Sequence, residues 1–178
     1  MKLHLVRHTA VDVVPGTCYG VSDVPLAKSF PEEAQKVKEQ LDALPIDCAF
    51  TSPLSRCLRL ASFCGFSQAV VDPRLQERDF GAWEGLLYEE IRDDRLQLWY
   101  ADFVHVRATD GESFIDVARR VQSFIDDLTQ RFGSKQEIVL FTHGGVITAF
   151  QFCVERCSLD LIFDLQVPYG TILSLEIA

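Results

Sequence analysis

The sequence is poor in positive charge. Lys and Arg total 17 against 26 Asp and Glu, a formal net charge of −9. That imbalance argues against nucleic acid or an anionic membrane surface as a partner, because the net field disfavours a polyanion. It leaves room for a small anion where a few arginines converge, so the position of each arginine matters more than the total. Long apolar runs are also lacking; none reaches the ~18–20 residues of a transmembrane helix. The six cysteines (Cys18, Cys48, Cys57, Cys64, Cys153 and Cys157) contain no C-x-x-C pair. Cys153 and Cys157, four apart on an expected helix, have no third or fourth ligand beside them and make a poor metal site. No signal-peptide pattern opens the chain, since Met1 to Arg7 reads as a strand that reaches charge at once. Free thiols in a reducing cytoplasm are the expectation. Internal repeats, low-complexity tracts and linkers are absent, so residues 1–178 read as a single domain.

What the chain does have is an ordinary globular balance, 48% hydrophobic and 24% charged over 178 residues, enough for a buried core. Lys2 to Val6 is an apolar run that stops at Arg7-His8-Thr9, a buried strand ending in a polar loop. Asp12 to Pro25, with Pro15, Gly16, Gly20 and Pro25, reads as loop. Pro31 to Leu44 predicts a helix, with Ala34, Val37, Leu41 and Leu44 as its stripe. Cys48 to Thr51 predicts a strand, and Leu54 to Phe63 a helix with Leu54, Leu58 and Ala61 on one face.

Further along, Ala69 to Asp72 predicts a third strand, Arg74 to Gly85 a long polar and aromatic loop, and Leu86 to Phe103 broken helix. Ser113 to Phe132 is a clear helix through Val117, Val121, Phe124, Ile125 and Leu128. Glu137 to Thr142 is the central strand, His143-Gly144-Gly145 the turn after it, and Val146 to Arg156 the next helix. Gln166-Val167 and Thr171 to Ile177 predict an antiparallel hairpin around Pro168-Tyr169-Gly170. Alternating strands and helices favour an α/β fold, a three-layer α/β/α sandwich with a mostly parallel central sheet.

Ligands of such sheets bind at the carboxyl ends of the strands. Arg7-His8 and His143-Gly144-Gly145 both sit at strand ends, Arg56 follows another strand, and Glu77 lies in the loop after a third. Two histidines suggest zinc, but zinc wants three or four ligands and neighbouring guanidinium groups repel it. Arg7 and Arg56 point instead to an anion, since the guanidinium fork matches phosphate oxygens. Backbone N–H groups at Gly144 and Gly145 add donors at a helix start. A phosphate held in this way invites attack by a neutral imidazole. Pre-placed cations stabilise the transferring group, and a carboxylic acid such as Glu77 can protonate the leaving oxygen. Glu84 competes for that last role, with Glu77 preferred. His4 and His105 read as structural or solvated, Arg120 as a brace, and Cys57 as a buried thiol.

Taken together, Leu5-Val6-Arg7-His8, Thr51-Ser52-Pro53-Leu54-Ser55-Arg56, Leu75-Gln76-Glu77, Gly81-Ala82-Trp83-Glu84-Gly85, Gly111-Glu112-Ser113 and Thr142-His143-Gly144-Gly145 resemble the histidine phosphatase superfamily, also called phosphoglycerate mutase-like. The resemblance spans nearly the whole chain. It implies a phosphoglycerate mutase-like fold and a metal-independent phosphomonoesterase without cofactor, acting on a small phosphorylated substrate. It further implies that His8 is phosphorylated, that Arg7, Arg56 and His143 grip the phosphoryl group, and that Glu77 donates the proton.

Arg7-His8-Thr9-Ala10-Val11, Pro15-Gly16-Thr17-Cys18-Tyr19-Gly20 and Asp23-Val24-Pro25-Leu26 resemble the α-ribazole phosphatase branch, which implies α-ribazole 5′-phosphate as substrate in cobalamin synthesis. In that comparison Thr9, Tyr19 and Gly20 flank the substrate. The usual third residue Gly is Thr9 here, and an Asn common six residues after the nucleophile is Val14, so Thr9 or Tyr19 takes over one phosphate contact. Tyr19, Trp99, Tyr100 and Phe103 are candidates to read the leaving group. Rival readings are a phosphatase of another small sugar or nucleotide phosphate, a phosphoglycerate-type mutase, which would need extra lid structure, and a non-catalytic sensor, which would need neither nucleophile nor acid. The sequence carries no statement of oligomeric state.

Overall fold

A computed structural model describes residues 1–156 and 167–177. Cys157 and Gln166 lie outside the described residues. Among the described residues five strands form one sheet, β1 (Lys2–Arg7), β2 (Cys48–Thr51), β3 (Val70–Val71), β4 (Glu137–Thr142) and β5 (Ile172–Glu176), in the order β3-β2-β4-β1-β5. Neighbouring strands among β1 to β4 run parallel, and β5 closes the sheet antiparallel to β1. Five α-helices accompany it among the described residues: α1 (Phe30–Leu41), α2 (Ser55–Phe63), α3 (Arg95–Ala101), α4 (Phe114–Arg131) and α5 (Gly144–Glu155).

The three layers follow from the two-residue period of the strands. Leu3 and Leu5 of β1 and Ile138 and Leu140 of β4 join the core under α4 and α5. Val6, Val139 and Phe141, on the alternate positions, join the core under α1 and α2. Each fully buried Leu, Val or Phe contributes about 1.5–3 kcal/mol, so both faces need a cover. α4 starts at a capping box: Ser113 Oγ accepts from the Asp116 N–H at 3.3 Å, and the Ser113 N–H donates to Asp116 Oδ2 at 3.0 Å. Its expected stripe of Val117, Val121, Phe124, Ile125 and Leu128 is buried.

Four expectations need correction. The first helix ends at Leu41, not Leu44, because Leu44 precedes Pro45 and the helical region is disfavoured there. α2 buries Cys57, Leu60 and Ala61 while Leu58 is 37% exposed; Leu54 is the extended residue that caps the helix, so the helical phase starts one position later. Gly144 and Gly145 are the first turn of α5, not a turn before it. The last strand forms no hairpin with Val167. It pairs with β1 in the register Leu3↔Leu175, which satisfies the free edge of β1.

Candidate active site

The parallel register sets Arg7 beside Thr142 and Thr51 beside Phe141, so β1, β2 and β4 end together. The residue after each strand is then anchored to its neighbour: the His8 N–H donates to Thr142 O at 3.1 Å and the Ser52 N–H to Phe141 O at 2.9 Å. Thr142 Oγ1 donates to Leu75 O at 2.7 Å and draws in the loop that carries Glu77. The sheet brings His8, His143, Arg7, Arg56 and Glu77 to one edge. Their side chains come from four separate stretches of sequence.

His8 is 2% exposed, and its ring meets the His143 ring edge-on with centroids 5.1 Å apart. His8 Nδ1 lies 2.8 Å from the carbonyl oxygen of Thr9. A carbonyl only accepts, so Nδ1 carries the hydrogen and Nε2 keeps its lone pair. Burial above all, then the positive charge of Arg56 and of Arg7, lowers the His8 pKa to about 3, against the opposing pull of the Thr9 bond. The imidazole is therefore neutral at physiological pH. His143, fully buried, is held far below its ordinary value by burial first and then by His8 and the arginines. Its Nδ1 accepts from Arg56 Nε at 3.3 Å, and its Nε2–H donates to Ser52 Oγ at 2.8 Å.

Arg56 is fully buried at the start of α2 and donates to the carbonyls of Ser22 at 3.0 Å and Gly20 at 2.5 Å. Arg7 donates to the carbonyl of Val167 and stacks 4.0 Å above the Tyr169 ring. Its Nε is buried with no partner, as is the hydroxyl of Thr9. Gly144 lies against Arg7: a Cβ there would be 3.3 Å from the guanidinium carbon. Gly145 is more constrained, because a Cβ would sit 2.5 Å from Glu77 Oε1. Glu77 accepts from the N–H of Arg78 at 2.9 Å and of Gly145 at 3.2 Å, at the positive end of α5.

Arg120 braces this loop, donating to the carbonyls of Arg74 at 2.6 Å and Glu77 at 3.1 Å while paired with Glu112 at 2.9 Å. Tyr19 lies at the edge of the site, with its hydroxyl 2.7 Å from that of Tyr169 and its ring 5.7 Å from the Arg56 guanidinium.

Other expected residues fall elsewhere. Val14 is 64% exposed. Trp99 is buried in a separate aromatic cluster with Trp83, and Tyr100 lies half exposed. His4 is buried between Ser174 and Glu137, and exposed His105 pairs with Asp102. The pKa of the Cys57 thiol is raised by burial, so it is not a reactive thiolate. Among the described residues, no group of three His, Cys, Asp or Glu side chains is placed to hold a metal ion, and no helix is long and apolar enough to cross a membrane.

Three contributors escaped sequence reasoning. Ser52 lay inside a recognised segment, but its bond to His143 spans 91 positions. Tyr169 reads as a turn residue. Glu84 reads as a rival acid in the sequence, yet its carboxylate accepts from three backbone N–H groups. Burial alone would raise its pKa; the hydrogen bonds from Ser22, Phe80 and Val21 outweigh it and hold the group ionised.

A site of this composition on this sheet defines a class of enzyme, and the comparisons agree with it. The chain belongs to the histidine phosphatase superfamily (branch 1), whose family model matches residues 3–178, and is accordingly a phosphoric monoester hydrolase. It is similar to the adenosylcobalamin/alpha-ribazole phosphatase of Escherichia coli strain K12, 28% identical over 177 residues, covering 96% of this chain and 87% of that one. It is also similar to phosphoserine phosphatase 1 of Hydrogenobacter thermophilus, 28% identical over 151 residues, covering 80% and 71% of the two chains. Among solved structures, the alpha-ribazole phosphatase from Shigella flexneri superposes with a TM-score of 0.87 at 26% identity, covering 100% of this chain and 91% of that one. Phosphoglycerate mutases occur among the relatives as well.

Proposed function

We propose that this protein hydrolyses a small phosphomonoester through a phosphohistidine at His8, with no metal, and that its substrate is α-ribazole 5′-phosphate. The reading is carried by one observation: a neutral imidazole whose Nδ1 is tied to the Thr9 carbonyl, leaving Nε2 free beside two arginines. An unprotonated nitrogen in a cationic pocket is a nucleophile next to an anion site. The unpartnered Arg7 Nε and Thr9 hydroxyl are the donors such an anion would satisfy.

In the first step His8 Nε2 attacks phosphorus, the bond to the leaving oxygen breaks, and Glu77 gives that oxygen its proton. Arg7, Arg56 and the N–H of Gly144 hold the equatorial oxygens as charge spreads onto them. His143 joins them by turning its Nε2–H from Ser52 to a phosphoryl oxygen. The Thr9 hydroxyl supplies the phosphate donor that the side chain of Val14 cannot, and Tyr19 and Gly20 border the leaving group. In the second step water attacks phosphorus, ionised Glu77 takes its proton, the P–N bond breaks and His8 leaves as the neutral imidazole. The α-ribazole assignment draws on the names of two relatives and a structural neighbour together with the Arg7-His8-Thr9 segment. Free thiols at the five described cysteines fit a reducing cytoplasm.

Steady-state hydrolysis of p-nitrophenyl phosphate in excess chelator tests the chemistry. Turnover should persist with chelator and vanish in His8→Ala; loss with chelator, or survival in the variant, would overturn it. For the substrate, kcat/KM should be higher for α-ribazole 5′-phosphate than for phosphoserine. The reverse order would reject the assignment, and transfer to 3-phosphoglycerate without phosphate release would favour a mutase.

A further inference from the structure

Resting on the phosphatase reading above, we infer that Glu84 is a positioning residue that sets Arg56 for phosphate through a shared peptide group. The Val21 N–H donates to Glu84 Oε1 at 3.0 Å, and the carbonyl of the same peptide unit, Gly20 O, accepts from Arg56 Nη2 at 2.5 Å. One peptide is thus gripped from opposite ends by a carboxylate and a guanidinium. The next residue extends the pattern: the Ser22 N–H donates to Glu84 Oε2 at 2.7 Å, and Ser22 O accepts from Arg56 Nη1 at 3.0 Å. A third bond, from the Phe80 N–H to Glu84 Oε1 at 3.0 Å, ties the carboxylate to its own turn.

Hydrogen bonds in such a chain polarise one another: a carboxylate at the N–H end makes the carbonyl a stronger acceptor for the cation. The arrangement also solves a chemical problem. A carboxylate bonded directly to Arg56 would compete with phosphate for the guanidinium and offset its charge at close range. Placed one peptide away, Glu84 fixes the direction of Arg56 and leaves its charge available to an anion. Gly20 is what permits the approach. A Cβ at this position would lie 1.8 Å from Arg78 O and 2.9 Å from Glu84 Oε1, so no other residue fits between them. Asp23 completes the anchoring by accepting from Ser55, both N–H and Oγ, at the first turn of α2 next to Arg56. None of these bonds touches the reacting atoms. Arg56 is the group that these bonds join to the phosphate site, and a double-mutant cycle separates that route from one through Gly20, which borders the leaving group.

The test is a double-mutant cycle on p-nitrophenyl phosphate hydrolysis. Glu84→Gln keeps the size but turns an amide NH₂ toward one of the three N–H groups. It should lower kcat/KM about tenfold in the Arg56 background and weaken orthovanadate inhibition in proportion. In an Arg56→Ala background the same substitution should cost nothing further. Full additivity of the two losses would overturn the inference, because a purely structural Glu84 would damage both backgrounds alike. Should Glu84→Gln fail to fold, Glu84→Asp, which keeps the charge and shortens the reach, should show a smaller loss that also disappears without Arg56. Failure of the phosphatase reading looks different: undiminished turnover in Arg56→Ala alone would remove Arg56 from phosphate binding and this inference with it.

Discussion

The burial that keeps His8 neutral has a cost in acid that can be measured without substrate. The imidazole sits near pKa 3 in the folded protein and at its ordinary 6.5 when the chain unfolds. Between those values the unfolded state holds a proton that the native state refuses. The stabilising contribution is therefore fully present above pH 6.5 and is lost progressively as the pH falls toward 3. From pH 7.0 to 5.5 one such histidine removes about 1.3 kcal/mol of unfolding free energy. His143 is depressed for the same reason, burial first, and adds a loss of the same sign. His8→Asn should abolish its own share and leave that of His143. Urea unfolding at the two pH values in phosphate-free buffer reads the difference directly. If the variant loses as much stability on acidification as the parent, His8 is not held neutral by its surroundings, and the argument for a free Nε2 nucleophile falls.

Further outcomes follow from single contacts. Glu77→Gln should reduce kcat/KM, which reports the phosphorylation step alone, by about 10²–10⁴ for an alkyl phosphate and far less for p-nitrophenyl phosphate, whose leaving group needs little protonation; equal losses in kcat/KM on both would remove Glu77 from the acid role. Gly145→Ala places a methyl 2.5 Å from Glu77 Oε1. Displacement of that carboxyl by an ångström costs up to about 10²-fold in kcat, and unchanged kinetics would show that Glu77 is not positioned by α5. Phe124→Ala empties a fully buried site between Phe50 and Phe150. It should cost about 3–5 kcal/mol in urea unfolding, and a loss under about 1 kcal/mol would mean that the core under α4 is not packed as described.

Much of this architecture is legible from local pattern. The bounds of β2 and β4 coincide with the apolar runs Cys48 to Thr51 and Glu137 to Thr142. The stripe of α4 is plain because its 18 residues give the period room to show. Strand ends also placed His8, His143 and Arg56 at one edge, because a parallel sheet leaves little choice of where its carboxyl ends meet. What the sequence concealed is non-local. β5 looks like half of a hairpin, since nothing in Ile172 to Glu176 says that its partner is β1. The burial of α2 follows from its cap at Leu54, and a shift of one position rotates every side chain by about 100°. Glu84 and Glu77 are both carboxylates in the same loop. They differ in what they hold: Glu84 is bonded to the N–H groups of Val21, Ser22 and Phe80, whereas Glu77 meets those of Arg78 and Gly145 at the start of α5.

The central claim is a phosphoryl group on nitrogen at His8. Rapid acid-free quenching of the enzyme with excess substrate, followed by ³¹P NMR and tandem mass spectrometry under alkaline conditions, observes it directly. The account predicts one acid-labile, alkali-stable phosphoramidate on His8 per active chain, absent in His8→Ala. An acid-stable phosphate on a hydroxyl group, or an N-phosphate on a histidine other than His8, would contradict it.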